Sequence, residues 1–247
     1  MQQFELFSIL DSVDSTNNYA MARLHEGMAK HGMAWYAREQ TSGRGQRGKQ
    51  WLTGKDKNIA LSIVLEPAGI HVGQQFQLSA AVALACSDFL KFLSLNTVFI
   101  KWPNDLYLGD RKAGGILIEN VIQGNKWKFA VAGIGININE QAFDPGLPNA
   151  VSLLQITRHT YDVVALAKQL HALVLKRVDE LRKNGFEKML AEYNKRLYKK
   201  GMTVSMRKDS RLFEAVIKAV SADGKLIAGE QEEMEFDFGE VEWVLKK

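Results

Sequence analysis

Residues 4–10 (Phe-Glu-Leu-Phe-Ser-Ile-Leu) alternate moderately between apolar and polar, which predicts a strand. Asp14 or Ser15 is placed to cap a helix that runs to about Lys30, with Gly32 closing it. Short apolar runs at 33–37, 59–65 and 98–101 predict further strands, while 76–93 has the spacing of a buried helix. Two β-rich runs, 114–122 and 127–138, flank Gln123-Gly124-Asn125-Lys126, which predicts a hairpin and so antiparallel pairing within the sheet. From Asp162 onward apolar residues recur at 163, 166, 170, 173, 174, 178 and 181, the stripe of a long amphipathic helix that Gly185 ends. A second helix covers 186–198. Beyond Gly201, short alternating segments and the turn Ala222-Asp223-Gly224 predict five small strands. The pattern therefore gives an α/β (α+β) fold: a mixed, largely antiparallel sheet flanked by helices over residues 1–199, and a separate small β-barrel over 200–247.

Composition narrows this only slightly. With 247 residues and 46% hydrophobic content the chain can bury one sizeable core. No uninterrupted apolar run approaches the roughly 20 residues of a membrane span, and the N-terminus lacks the pattern of a signal peptide, so the expected location is cytoplasmic with no membrane partner. The lone Cys86, in an apolar helical setting, reads as a packed core thiol. The five histidines show no metal-ligand spacing, so no metal site built from dedicated protein ligands is expected. A net charge of +4 arises from 32 basic and 28 acidic residues, too even a balance to imply nucleic acid by itself.

Two segments depart from ordinary surface composition. Gln40-Thr41-Ser42-Gly43-Arg44-Gly45-Gln46-Arg47-Gly48-Lys49-Gln50-Trp51 mixes glycines, cations and a tryptophan. Glycines let backbone N–H groups approach an anion, and guanidinium groups add bidentate charge-assisted bonds. Phosphate binding, a flexible basic loop and a nucleic-acid contact are all compatible with it; the spacing is that of neither a P-loop nor a Rossmann fingerprint. The second segment is Lys101-Trp102-Pro103-Asn104-Asp105-Leu106-Tyr107-Leu108, followed by Asp110-Arg111-Lys112-Ala113-Gly114-Gly115-Ile116-Leu117-Ile118-Glu119. Here a strand ends in a rigid turn that displays Asn104 and Asp105, and the glycine pair opens a strand against which a ligand can lie. A hairpin carrying surface charges is the plainer reading.

In that order, Gly-Arg-Gly-x-Arg-Gly with its later Trp, Lys-Trp-Pro-Asn-Asp, and Arg-Lys-x-x-Gly-Ile-Leu resemble the motifs of biotin protein ligases. Asp14-Ser15-Thr16-Asn17-Asn18, Gly133-Ile134-Gly135-Ile136-Asn137 and Leu147-Pro148-Asn149-Ala150-Val151-Ser152-Leu153 match as well, so the resemblance covers roughly 5–155. It implies a class II synthetase-like (SH2-like) catalytic domain with an SH3-like C-terminal barrel. It also implies an ATP-dependent enzyme that forms biotinyl-5'-AMP and transfers biotin to a lysine of a biotin carboxyl carrier protein, with biotin, ATP and Mg2+ as small-molecule requirements.

By that resemblance Lys112, Arg44 and Asp105 carry catalysis: Lys112 reaches the biotin carboxylate and α-phosphate, and Asp105 orients the attacking lysine. Ser15, Thr16, Asn17, Gln40, Arg44, Gly45, Gln46, Lys112, Gly115 and Gly133 fall to biotin. Arg44, Arg47, Trp51, Asn104, Lys112 and Asn137 fall to the nucleotide. Without the resemblance, Ser15–Asn17 would read as a helix cap and Trp51 as core. Gln46 departs from relatives that carry a third arginine there, and the missing cation is expected to weaken retention of the intermediate. The chain reaches Asp14 too early for an N-terminal helix-turn-helix domain, so no DNA partner is expected. A homodimer is compatible with the helical stripes; a lipoate ligase or acyltransferase of related fold is the nearest rival, and a biotin-responsive DNA-binding regulator the weaker one.

Overall fold

The computed structural model describes residues 6–51, 54–67, 69–230 and 232–244. In chain order its elements begin with β1 (Phe7–Leu10), α1 (Thr16–His25), β2 (Ala34–Ala37), β3 (Asn58–Leu65), α2 (Gln75–Ser94), β4 (Val98–Lys101) and β5 (Asp105–Leu108). There follow β6 (Arg111–Gln123), β7 (Lys126–Asn137), α3 (Leu153–Thr157), α4 (Val163–Asn184) and α5 (Glu187–Lys195). The last stretch holds β8 (Thr203–Lys208), β9 (Arg211–Val220), β10 (Leu226–Ala228), β11 (Met234–Phe236) and β12 (Glu242–Val244). Residues 4 and 5 of the first predicted strand lie outside the described residues.

The first seven strands form one sheet in the order β1-β2-β3-β7-β6-β5-β4. Only β1 and β2 run parallel; every other pair is antiparallel, as the 123–126 hairpin requires. Side chains of a strand alternate between faces, and here the alternation separates two environments. Ile59, Leu61, Ile63 and Leu65 of β3 point with Ala130, Ala132, Ile134 and Ile136 of β7 into the main core, against α2 and α4. The opposite face carries Trp35, Val64 and Val131, which pack under α1. α4 begins where Asp162 Oδ1 accepts the Ala165 N–H at 3.1 Å, and it ends at Gly185, whose φ of +74° suits glycine.

Three expectations need adjustment. The span Val72–Ser94 is, by length and composition alone, long and apolar enough to cross a membrane, although no single run of the sequence looked so. In the fold it is a core helix: Leu78, Ala81, Val82, Ala85, Cys86 and Phe89 are buried beneath the sheet and α4, and burial pushes the Cys86 thiol pKa upward. The Lys101–Gly115 segment, read as a turn before a strand, contains β5: Asp105 pairs back on Lys101 and across on Gly115, so it sits in the sheet and not in a loop. The C-terminal five strands exist, but in the open order β11-β10-β9-β8-β12 with no ladder joining β11 to β12 among the described residues. They form a small curled sheet, not a closed barrel. It packs on the first sheet through buried Trp102, whose Nε1 donates to Gly224 O at 2.8 Å. The peptide bond Trp102–Pro103 is cis.

Candidate functional site

The α1 face of the sheet does not stay covered. Beyond Trp35, Val64 and Val131 it continues as Ser62 and Ala60 on β3, Gly133, Gly135 and Asn137 on β7, and Leu117 and Gly115 on β6. The register aligns them in rows: Ser62 with Gly133 and Leu117, then Ala60 with Gly135, Gly115 and Asp105. Small residues leave a floor on which other groups can lie. An added Cβ on Gly133 would meet Asn17 Oδ1 at 2.3 Å, and one on Gly135 would meet Trp51 Cε2 at 2.3 Å. Both distances are far inside van der Waals contact, so the approach of Asn17 and Trp51 depends on glycine.

Over this floor lies a cleft of about 510 Å³. It is walled by the start of α1, the 40–51 loop, the β4–β5 turn and the C-terminal sheet. Every residue assigned by resemblance lines it: Ser15, Thr16, Asn17, Gln40, Arg44, Gly45, Gln46, Arg47, Trp51, Asn104, Asp105, Lys112, Gly115, Gly133 and Asn137.

One end of the cleft is polar and nearly dry. Ser15, Thr16 and Asn17 are 2%, 4% and 3% exposed and Ser62 is fully buried, so their hydrogen-bonding capacity must be met from within the protein or by a ligand. Gln40 Oε1 accepts from the Thr16 N–H at 2.8 Å and from Thr16 Oγ1 at 3.1 Å, capping α1 from outside. Ser15, the N-cap by backbone, makes no side-chain cap bond, so the plain cap reading does not account for its hydroxyl. Ser62 Oγ stands 2.6 Å from Asn17 Oδ1 and 2.7 Å from Thr16 Oγ1. Its single proton serves one of them at a time, and Asn17 Oδ1, which carries no proton, needs it. Asn17 Nδ2 donates to Leu117 O (3.3 Å) and Glu119 Oε2 (2.8 Å). With Asn17 Nδ2 and Gln40 Oε1 occupied, Gln40 Nε2 and one lone pair of Asn17 Oδ1 remain to face a ligand.

Cations run from this end, where Arg44 shares Glu119 with Asn17, to Lys112 at the other. Arg44 Nη1 lies 3.0 Å from Glu119 Oε1 and donates to Asn18 Oδ1 at 2.8 Å. Lys112 Nζ is 2.7 Å from Asp105 Oδ1, and its backbone is clasped by the following loop, with its N–H donating to Asn149 O and its carbonyl accepting from the Val151 N–H. Asn104 is fixed by Ile116: its Nδ2 donates to Ile116 O at 2.8 Å. Asn137 Nδ2 donates to Val151 O at 3.1 Å. Arg47 adopts φ +56°, and its guanidinium donates to Gly239 O and lies 5.5 Å from the Phe238 ring centroid, both in the turn between β11 and β12. Gln46 Nε2 is 3.5 Å from Ile116 O. The Trp51 indole lies flat on the Gly115–Gly135 row with its Nε1 buried and unpartnered.

Several groups that line the cleft or stand behind its lining residues were not foreseen. Ser62 had a visible signal, a lone hydroxyl in the apolar run 59–65. Glu119 stood at the end of a motif whose cations drew the attention. Lys101 reaches the cleft from the end of β4, and Phe238, Val241, Glu242 and Trp243 reach it because the C-terminal sheet folds over it.

Comparison with known proteins follows the same residues. The model of the biotin/lipoate A/B protein ligase family matches residues 9–137. The bifunctional ligase/repressor BirA of Escherichia coli is 36% identical over 58% of this chain and 43% of its own length. A biotin--[acetyl-CoA-carboxylase] ligase of Mycobacterium tuberculosis is 31% identical over 76% of this chain and 69% of its own, and that of Paracoccus denitrificans is 37% identical over 62% and 65%. The chain thus spans less than half the length of the E. coli relative. In fold it is similar to biotin protein ligase from Aquifex aeolicus in complex with biotin and ATP, with a TM-score of 0.83 at 24% identity over 98% of this chain and 100% of that one.

Proposed function

The chain belongs to the biotin/lipoate A/B protein ligase family, and on that premise we propose that it activates biotin with ATP as biotinyl-5'-AMP and transfers it to a lysine of a biotin carboxyl carrier protein or domain. The observation that carries this reading is a buried amide–hydroxyl pocket, with Arg44 at its edge, joined over a glycine floor to Lys112 and Asp105. Biotin has that shape of chemistry: a ureido ring with donors and an acceptor, an apolar chain, and a carboxylate.

In the first half-reaction a biotin carboxylate oxygen bonds to the ATP α-phosphorus while the bond to the bridging oxygen breaks, and that electron pair leaves with pyrophosphate. Two anions meet, so fixed positive charge aimed at the phosphorus lowers the barrier. Lys112 and Arg44 supply it, each first exchanging its carboxylate partner, Asp105 or Glu119, for the ligand. Magnesium arriving on the nucleotide would neutralise further phosphate charge; Asp105 is a carboxylate in the cleft that suits a cation held mainly by phosphate and water. In the second half-reaction the carrier amine attacks the acyl carbon, AMP leaves, and Asp105, freed from Lys112, orients the amine or takes its proton.

The rival acid, lipoate, ends in a dithiolane that neither donates nor fills the pocket's hydrogen bonds. A site built of buried polar groups discriminates strongly against such a ligand, because those groups are left unpaired. Intact mass of a carrier domain incubated with this protein, ATP, magnesium and either acid tests the reading. A biotin-sized increase that requires the carrier's target lysine supports it, and modification by lipoate alone overturns it.

A further inference from the structure

The cations that line the cleft differ in whether a carboxylate answers them. Arg44 and Lys112 are answered by Glu119 and Asp105 at 3.0 and 2.7 Å. Lys101, at the end of β4, has, like Arg47 and Lys49, no carboxylate within 4.0 Å of its side-chain nitrogen among the described residues. Instead the ammonium faces aromatic rings, 5.2 Å from the Trp243 centroid and 5.9 Å from that of Tyr107. It lines the cleft beside Lys112 on one side and Val241, Glu242 and Trp243 of the C-terminal sheet on the other.

Burial lowers the Lys101 pKa; the more distant Asp105 and Glu242 oppose that, and Lys112 and Lys49 add to it. A partly desolvated cation without a counter-ion is expensive, and ring faces recover only part of the cost. Such a group is completed by an anionic ligand. The biotin carboxylate and α-phosphate already have Lys112 and Arg44. The anion remaining on an adenylating reaction path is the β,γ-diphosphate.

The geometry points to Lys101 as the counter-cation of the leaving pyrophosphate, in a polyphosphate subsite that β4 shares with the C-terminal sheet through Trp243. This assignment rests on the adenylating reading. It gives the C-terminal sheet a part in the first half-reaction: Trp243 holds the ammonium over the cleft, and Arg47, tethered to Phe238 and Gly239, flanks the same side. Bond making and breaking are those of the adenylation step; Lys101 adds electrostatic stabilisation to the departing oxygen and transfers no proton.

The test separates the half-reactions with full-length Lys101→Met and Lys101→Arg. Biotin-dependent ATP–pyrophosphate exchange reads the first step, and single-turnover transfer from chemically made biotinyl-5'-AMP to a carrier domain reads the second. Loss of one charge-assisted contact is expected to raise the KM for ATP and the inhibition constant of pyrophosphate about tenfold or more in Lys101→Met. Biotin affinity without ATP and transfer from the preformed adenylate are expected to stay within about twofold, and Lys101→Arg is expected to recover most of the loss. A purely structural strut would depress both half-reactions together, and that result, or an unchanged pyrophosphate inhibition constant, overturns the assignment. Absence of biotin-dependent exchange in the unaltered protein would instead remove the adenylating reading, and the subsite with it.

Discussion

Ser62→Ala removes one oxygen from a fully buried position, and the geometry fixes what that costs. The lost hydroxyl is 2.6 Å from Asn17 Oδ1 and 2.7 Å from Thr16 Oγ1, and it supplies the proton that the asparagine oxygen accepts. Alanine leaves that oxygen, on a residue 3% exposed, without the donor. An orphaned buried acceptor costs about 1–3 kcal/mol, so the melting temperature should fall by roughly 2–12 °C for a chain of this size. Asn17 keeps its bonds to Leu117 O and Glu119 but loses the one that fixes its rotation, and Thr16 loses its partner below. If these two groups recognise the ureido ring, biotin binding weakens by a similar 1–3 kcal/mol, or about 5- to 150-fold in Kd. Calorimetric titration with biotin, without ATP, alongside thermal melts gives both numbers. A Thr16→Val/Ser62→Ala double-mutant cycle should be less than additive, because both changes break the same chain of bonds. A lowered melting temperature with biotin affinity unchanged would show that the network serves the fold alone and would refute its role in recognition.

Other expectations are briefer. Lys112→Ala should leave the melting temperature almost unchanged, since its ion pair is partly exposed, yet slow adenylation about 10²–10³-fold in single-turnover assays, the usual effect of removing one donor to a developing anion. Gly135→Ala places a methyl 2.3 Å from Trp51 Cε2 and must lift the indole; about a 5- to 150-fold rise in the KM for ATP is expected, and unaltered kinetics would show that the ring position is immaterial. Gln46→Arg adds a charge within reach of the Ile116 carbonyl side of the cleft and should slow escape of the intermediate about 10- to 100-fold in a rapid-dilution assay. For pH, burial holds the pKa of His31 and of His171 below the usual 6.5. His31 Nδ1 accepts the Glu66 N–H at 3.1 Å, a bond that a protonated nitrogen could not accept. The unfolded chain therefore binds protons that the folded one refuses, so this stability is complete above pH 6.5 and is lost as pH falls from there through the lower folded-state values. Melting curves from pH 8 to 5 check it, and His171→Gln should flatten the slope.

The sequence by itself determined the elements whose cause is local. The 3.6-residue stripe from 163 to 181 with Asp162 and Gly185 at its ends, the 123–126 turn, and the alternation beyond Gly201 each describe a few neighbouring residues, and each became the expected element. The site residues assigned by resemblance were also legible within their motifs, and those residues line one cleft. Tertiary structure alone decided the strand order: β3 is inserted between β2 and β7, so Ser62 comes to lie beside Gly133 and under Thr16 and Asn17. No local pattern encodes that neighbourhood, because strand pairing depends on burial summed over segments 40–100 residues apart. The same holds for Glu119 answering Arg44 across 75 residues, for the apolar helix Val72–Ser94 becoming core, and for the C-terminal strands closing over Lys101. Periodicity states which face of an element is apolar; only the packed chain decides what that face meets.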